Sequence, residues 1–468
     1  MKTDYLAGLR EGRKLTLKQQ LSMIVQLSFP AIMAYMSNIV MQYIDASMVG
    51  RLGAEGSASI GLVASSTWLF GGMCSAAVTG FTVQTAQRIG AGQEREARSV
   101  MKQGFVIAMA AGLFWMLLGA SLSGGLPAWL GGGADITANA SAYFLIFCLA
   151  LPFSQLNNIS GGMLQASGNM RLPSILHILM CGLDIVFNWF LIFPTRRVLG
   201  ITVPGAGIGV AGAALGTALA QAVTACIMTY ALLRKSPALH LRRGEPLRFN
   251  RQELAYSVKL SIPVALEQLV MSGAQVMSTR IVAPLGTVSI AANSFAVTVE
   301  GLAYMPGYGI GAAASTMIGQ STGAGRQDLT YKLGWLTTLL GMAVMTVMGV
   351  AMYITAPWML ALLTPVAEVQ ALGTLVLRIE AFAEPMYAAS IVASGALRGA
   401  GDTLVSSCLN FCSMWIVRLP LAAILAPRMG LRGVWVAMCI ELCVRGILFL
   451  IRLADKRWMN HGIREAKV

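Results

Sequence analysis

Long uncharged apolar blocks constrain this chain more than any other feature. From Phe105 to Leu122 no residue carries a charge, and a helix of that length crosses a hydrocarbon layer of roughly 30 Å. Such blocks recur along the whole sequence. Only 12% of the 468 residues are charged and 56% are hydrophobic, whereas a soluble chain carries about a quarter charged residues to cover its surface. The 50 glycines and 28 methionines suit the same setting. Glycine lets membrane helices approach closely, and methionine fills irregular apolar gaps. The fold class expected is an all-α polytopic membrane protein.

Apolar blocks bounded by charge or by Gly/Pro clusters give twelve transmembrane helices. The first six are expected near 21–49, 57–86, 103–123, 136–158, 172–193 and 206–233. The second six are expected near 254–283, 288–318, 333–356, 368–395, 404–426 and 432–451. Met1–Gln20 is polar and basic, and the block after it is too long for a cleaved signal, so the first helix reads as an anchor. Lysine and arginine concentrate on one side: the N-terminus, Arg88 to Lys102, Arg171, the 234–259 loop, Arg326, Lys332, Arg398 and the C-terminal tail. The other side holds Arg51, Arg196, Arg197, Arg428 and Arg432. Basic residues mark the cytoplasmic face, so both termini are expected inside a plasma (inner) membrane. The net charge of +14 is then topological, and no nucleic-acid partner is expected; the bilayer itself is the surrounding partner.

The two halves repeat. Leu27-Ser28-Phe29-Pro30 matches Leu260-Ser261-Ile262-Pro263, and the same offset carries Gln42 onto Gln275 and Gln87 onto Gln320. It also carries Gly90-Ala91-Gly92 onto Gly323-Ala324-Gly325, Pro152 onto Pro385, and Leu164 with Gly168 onto Leu397 with Gly401. An offset held across four helices is an internal repeat. Six helices per unit leave equivalent helices pointing the same way, so the repeats are parallel and related by a pseudo-two-fold axis along the membrane normal. The domains expected are an N-terminal lobe (1–233), a linker (234–259) and a C-terminal lobe (260–468).

Ionisable groups at membrane depth are costly, and each is a functional candidate. Asp184 and Asn188 are four residues apart and share one helix face. With Asp45 they would offer hard oxygens to Na⁺, although Asp45 could also be a hydrated residue near a helix end. A desolvated carboxyl could equally carry a proton. In the second half, Glu267, Glu300 and Glu384 are candidate substrate or cation residues, with ion pairing to Arg280 or another buried base as the structural alternative for Glu267 and Glu300. Glu380 lies one turn before Glu384, with Arg378 close by, so at least one of these three could serve only as an ion-pair member. Glu441 and Arg445 have the spacing of a helix-stabilising pair. The acids are not duplicated: Ala34, Thr67 and Ser278 stand at the repeat positions of Glu267, Glu300 and Asp45. Pro30, Pro263, Pro306 and Pro385 lie inside spans, as do Pro152 and Pro420, and could let them bend. The eight cysteines and three histidines lack metal-site spacing, so no metal beyond Na⁺ and no other cofactor is expected.

Several of these residues fall in segments that resemble the MATE family of multidrug and toxic compound extruders. The segments are Leu27 to Pro30 running through Asp45, Met305-Pro306-Gly307-Tyr308-Gly309, Gly319-Gln320-Ser321 with Gly323-Ala324-Gly325, Gly395 to Thr403, and Arg418-Leu419-Pro420. The resemblance covers nearly the whole chain. It implies secondary antiport, in which inward Na⁺ or H⁺ flow drives export of amphipathic, often cationic organic compounds through a central cleft that opens alternately to each side. Asp45 matches the family's first-span aspartate, and Glu267 and Glu300 match its acids in the seventh and eighth spans. Two departures stand out: Asp184 precedes Asn188 where many relatives have the reverse order, and Glu384 stands where many have glutamine.

An intramembrane enzyme would need paired Asp-rich motifs, a Ser/His arrangement or a histidine cluster, and none occurs, so the chain is read as no enzyme. A flippase or exporter of a lipid-linked or other endogenous metabolite is the alternative on the same scaffold, although it would favour cationic residues in the cleft. Small-molecule substrates are the expected partners, with the protein working as a monomer.

Overall fold

The structure is a computed structural model that describes residues 5–10, 13, 15–198, 201–242, 245 and 249–462. The C-terminal part of the basic tail and much of the 243–248 stretch of the linker lie outside the described residues. A short helix, α1 (Tyr5–Arg10), precedes the first span. The first half then contains α2 (Leu17–Gly50), α3 (Ala54–Gly90), α4 (Glu94–Leu122), the single turn α5 (Leu126–Trp129), α6 (Ala134–Ala166), α7 (Arg171–Leu191) and α8 (Val210–Lys235). The second half contains α9 (Arg251–Val282), α10 (Thr287–Gly323), α11 (Gln327–Leu363), α12 (Ala367–Ala381), α13 (Glu384–Ala400), α14 (Thr403–Cys412), α15 (Leu419–Met429) and α16 (Leu431–Ala454).

Among the described residues, 11 helical stretches are long and apolar enough to cross a membrane. The twelfth is the expected tenth span, which is divided into α12 and α13 by a turn at 382–383. Pro385 sits in the first turn of α13. There its missing N–H costs nothing, whereas in the middle of a helix its ring would meet the carbonyl four residues back. Pro30, Pro152, Pro263 and Pro306 instead remain inside unbroken helices. The eleventh span runs through a wide π turn, Ser413–Arg418, just before Pro420. With α12 and α13 counted as one interrupted span, the chain is a twelve-helix, two-repeat membrane protein.

The connection after α7 folds into an antiparallel hairpin, β1 (Pro194–Val198) and β2 (Ile201–Ala206), with Arg196 opposite Val203. Its sequence, between two apolar blocks, predicts only a plain connection. Val198, Ile201, Thr202 and Val203 supply the β-branched run that favours strands. α9 begins at Arg251, so the connection from α8 is shorter than 234–259. That connection is tied to α4: the Arg98 guanidinium, 3% exposed, pairs with Glu245 at 2.8 Å and donates to the Ala238 carbonyl at 3.1 Å. Glu253 accepts from Ser99 at 2.9 Å and from Gln103 at 2.8 Å.

Contacts divide the chain into two compact units: an N-terminal unit of Ser37–Thr85 with Glu94–Ala265, and a C-terminal unit of Met1–Met36, Ala86–Gln93 and Leu266–Val468. The cuts fall inside α2, α3 and α9. The N-terminal unit has an aromatic core in which Phe70 meets Trp115 and Phe144 edge-on at 5.3 and 5.6 Å. The C-terminal unit is built around Trp435, whose indole N–H donates to Asn293 at 2.9 Å. Within it, α3 and α10 cross at their ends. A side chain at Gly90 would run into the backbone of Gln320, and one at Gly323 into the backbone of Gln87. These are repeat-equivalent positions, so the same close approach is made twice. The Gln87 side chain also donates to the Gly399 carbonyl at 3.0 Å.

Candidate functional site

In the N-terminal unit, Asp184 and Asn188 lie one helical turn apart on the buried face of α7, and both are fully buried. The Asn188 amide nitrogen donates to Asp45 Oδ1 at 2.8 Å and to Asp184 Oδ2 at 3.1 Å. Its two hydrogens are thereby spent on two carboxylates from two helices. Two further oxygens, Asp184 Oδ1 and Asn188 Oδ1, are buried with no donor among the described groups. Thr217 of α8 flanks Asp184, but its hydroxyl donates to the Ala213 carbonyl at 3.2 Å. Neither carboxylate has an ion-pair partner among the described residues.

Gly216 of α8 makes room for this arrangement. A Cβ there would occupy the position of Asn188 Oδ1, so the glycine lets α8 close over the amide. Adjacent buried carboxylates with no cation between them repel, and a proton or a bound cation relieves the cost. The orphaned oxygens are hard donors of the type that alkali and alkaline-earth cations take. Asp45, Asp184 and Asn188 together therefore offer oxygens of the kind that take a proton or a hard cation.

The C-terminal unit treats its acids in two ways. Glu267 on α9 is fully engaged: Arg398 Nη2 donates to both of its oxygens at 2.8 and 2.9 Å, with Ser407 and Asn410 each at 2.7 Å. Its base is Arg398 on α13, not Arg280. The sequence gap between Glu267 and Arg398 hides this pair, because only the packing of α13 against its neighbours brings them together. Glu441 and Arg445 pair on α16 at 2.9 Å, with Ser413 also bonded to Glu441.

Glu300, Glu380 and Glu384 form a separate buried group. Glu300 and Glu380 are close enough to interact electrostatically, and both oxygens of Glu380 and of Glu384 lack a donor among the described groups. The break before α13 places Glu384 in a first helical turn, where free N–H groups favour a carboxylate. Arg378 lies over the Tyr353 ring at 5.0 Å and bonds the Tyr353 carbonyl, so the cations that act on this group are instead Arg418 and Arg445.

Beside the acids runs a set of tyrosines. Tyr35 and Tyr308 have ring centroids 6.1 Å apart, Tyr308 and Tyr304 5.8 Å, and Tyr304 and Tyr387 5.5 Å. Arg445 lies over Tyr387 at 5.4 Å. The spacing of Tyr304 and Tyr308 was a legible signal, since residues four apart share a helix face. Tyrosine faces beside carboxylates can attract an organic cation.

The MatE family model matches this chain twice, at residues 30–190 and 263–424. The two matches begin at the repeat-equivalent prolines, Pro30 and Pro263. The probable multidrug resistance protein NorM of Thermotoga maritima is 24% identical over 446 residues, covering 94% of this chain and 93% of that protein. The protein of the same description from Chromobacterium violaceum is 25% identical over 447 residues, covering 93% and 94%. Among solved structures, an outward-facing multidrug resistance MATE transporter of the MOP superfamily superposes with a TM-score of 0.88 at 21% identity, covering 98% of this chain and 99% of the other. With both halves matched by one model, a twelve-helix two-repeat fold and buried acids in each unit, the chain belongs to the MATE family of transporters.

Proposed function

We propose that this protein is a secondary antiporter that exports amphipathic, cationic organic compounds in exchange for Na⁺ or H⁺. The observation that carries the reading is the Asp45–Asn188–Asp184 arrangement, in which two carboxylates share one amide and lack a cationic side chain. Such a group changes its charge or its occupancy with the coupling ion. The names of the NorM relatives support multidrug substrates.

In this reading a proton or Na⁺ held by Asp45, Asp184 and Asn188 favours one facing state of a cleft between the two lobes, which are joined by the connection between α8 and α9. The helices containing Pro30, Pro263 and Pro306, together with the break at Pro385, are the places where bending would occur. Substrate favours the other state, and that difference in affinity makes exchange obligatory. Glu300 and Glu384, with Tyr304, form the substrate-facing acid and aromatic group, while Glu267 holds Arg398 in place. The protein works as a monomer in the plasma (inner) membrane with both termini cytoplasmic, in keeping with the distribution of basic residues.

The test is efflux of a fluorescent organic cation from proteoliposomes with a Na⁺ or a proton gradient imposed separately. Transport driven by one gradient identifies the coupling ion. Absence of transport under both gradients would refute drug antiport and move a lipid-linked or other anionic substrate to the front.

A further inference from the structure

We infer that the protein binds one phospholipid with an anionic headgroup in a groove between the start of α2 and the start of α11. The groove has a volume of about 500 Å³ and is lined by Leu15, Leu17, Gln20, Tyr331, Lys332, Trp335 and Leu336. All of these belong to the C-terminal unit.

Its position along the helices puts it at headgroup depth. α2 has 34 residues and α11 has 37. At about 1.5 Å per residue both exceed a hydrocarbon layer of roughly 30 Å by many ångströms. The groove is made by Leu15 and the first turn of α2 together with the second and third turns of α11, with a tyrosine, a tryptophan and a lysine on the wall, the residue types that anchor membrane proteins at the interface.

Its chemistry divides into two parts. Leu15, Leu336 and Leu17, which is 60% exposed, with the flat face of Trp335, offer an apolar channel for an acyl chain. The Gln20 amide is already committed to the Leu15 carbonyl at 2.9 Å and does not compete. The other part is cationic. Lys332 is exposed and has no ion-pair partner among the described residues. Lys456, also exposed, lies over the ring of the groove's Tyr331 at 5.2 Å.

The acids nearby do not cancel these charges. Asp455 is held by Arg452 at 3.0 Å and lies 3.8 Å from Arg457. Asp328, one turn before Lys332, forms no ion pair with it among the described residues. Two cations beside an apolar channel at the bilayer surface match an anionic head joined to an acyl chain, and a zwitterionic head has no net charge for them to recognise.

The experiment is native mass spectrometry of the full-length protein released from detergent, with three probes offered in turn. These are dioleoyl phosphatidylglycerol, dioleoyl phosphatidylcholine with the same chains, and glycerol 3-phosphate as a chainless head. Phosphatidylglycerol is expected to be retained over phosphatidylcholine, and Lys332→Glu with Lys456→Glu to reduce that retention by about fivefold per lysine. Lys235→Glu, at an exposed lysine elsewhere, is expected to leave it unchanged, with melting temperatures confirming that every variant is folded. A measurement free of charge reversal uses phosphatidylglycerol brominated on its chains. It should quench wild-type tryptophan fluorescence more than that of Trp335→Phe. Equal retention of both lipids, an equal loss in Lys235→Glu, displacement by glycerol 3-phosphate, or quenching that ignores Trp335 would each overturn the proposal.

Discussion

Replacing Gly216 with alanine separates the stability of α8 from the working of the acidic pair beneath it. The new methyl would take the place of Asn188 Oδ1 and push the amide away from Asp45 and Asp184. Overpacking of this kind costs about 1–3 kcal/mol, while alanine in a helix interior recovers about 1 kcal/mol relative to glycine. The net change in stability is therefore expected to be small, about 0–2 kcal/mol. The local loss is larger in consequence. A hydrogen bond to a charged group contributes about 1.5–3 kcal/mol, so losing one in a single facing state weakens that state by roughly ten- to 150-fold. Thermal melting in detergent should place Gly216→Ala within a few degrees of wild type, while gradient-driven efflux from proteoliposomes falls by at least tenfold. In an Asn188→Ala background the obstruction is gone. The remaining close approach, to the Asn188 backbone nitrogen at 3.1 Å, needs only a slight adjustment, so adding Gly216→Ala there should be neutral or stabilising. Equal damage from Gly216→Ala in both backgrounds would refute the claim that the methyl acts through the Asn188 amide.

Three further outcomes follow from the same geometry. Asp45→Asn should abolish coupled efflux with the melting temperature preserved, and full transport by this variant would remove Asp45 from the coupling site. Glu267→Ala removes the acceptor for Arg398, Ser407 and Asn410 and should destabilise the C-terminal unit by about 3 kcal/mol, the low end for a broken buried pair because Arg398 is 27% exposed; a loss under about 1 kcal/mol in a denaturant titration would contradict this. Arg98→Ala should open the 236–250 connection to protease. In wild type the Arg98 guanidinium holds the Glu245 carboxyl below its ordinary 4.5. Protection should therefore be complete above the ordinary glutamate range and fade as pH falls through the depressed value, whereas Arg98→Ala should be cut at the same rate on both sides of that window.

The spans were legible because membrane helices announce themselves by length and lack of charge, and the repeat was legible because its landmarks are prolines and glycines at one offset. The break at 382–383 was harder to read. Pro385 signals a disturbance, but a proline inside a span looks alike whether the helix continues, as at Pro306, or stops. The hairpin at 194–206 was missed because a short connection rich in glycine and proline carries little periodicity. Asp184 and Asn188 were legible as a pair because four residues bring side chains onto one face. The remaining partners depend on packing between distant segments: Gly216 matters only because α8 closes over Asn188, and Arg398 reaches Glu267 from more than a hundred residues away. The free oxygens of Glu380 and Glu384 could not be inferred either, since Arg378 is close in sequence yet turns toward Tyr353.

The doubled crossing of α3 and α10 bears on how such a chain could have arisen. Gly90 rests on Gln320, and Gly323 rests on Gln87, so residue i of one half touches residue j of the other while j touches i. That reciprocity is the mark of an isologous interface, the kind formed when two copies of one polypeptide associate about a dyad. A single six-helix ancestor carrying one glycine and one glutamine at these places would already have owned both sides of the contact. Fusion of two such copies would add only a tether, with no new surface to invent. The doubled contact is also a constraint, because a bulky replacement at either glycine damages one side of it that the equivalent side cannot repair.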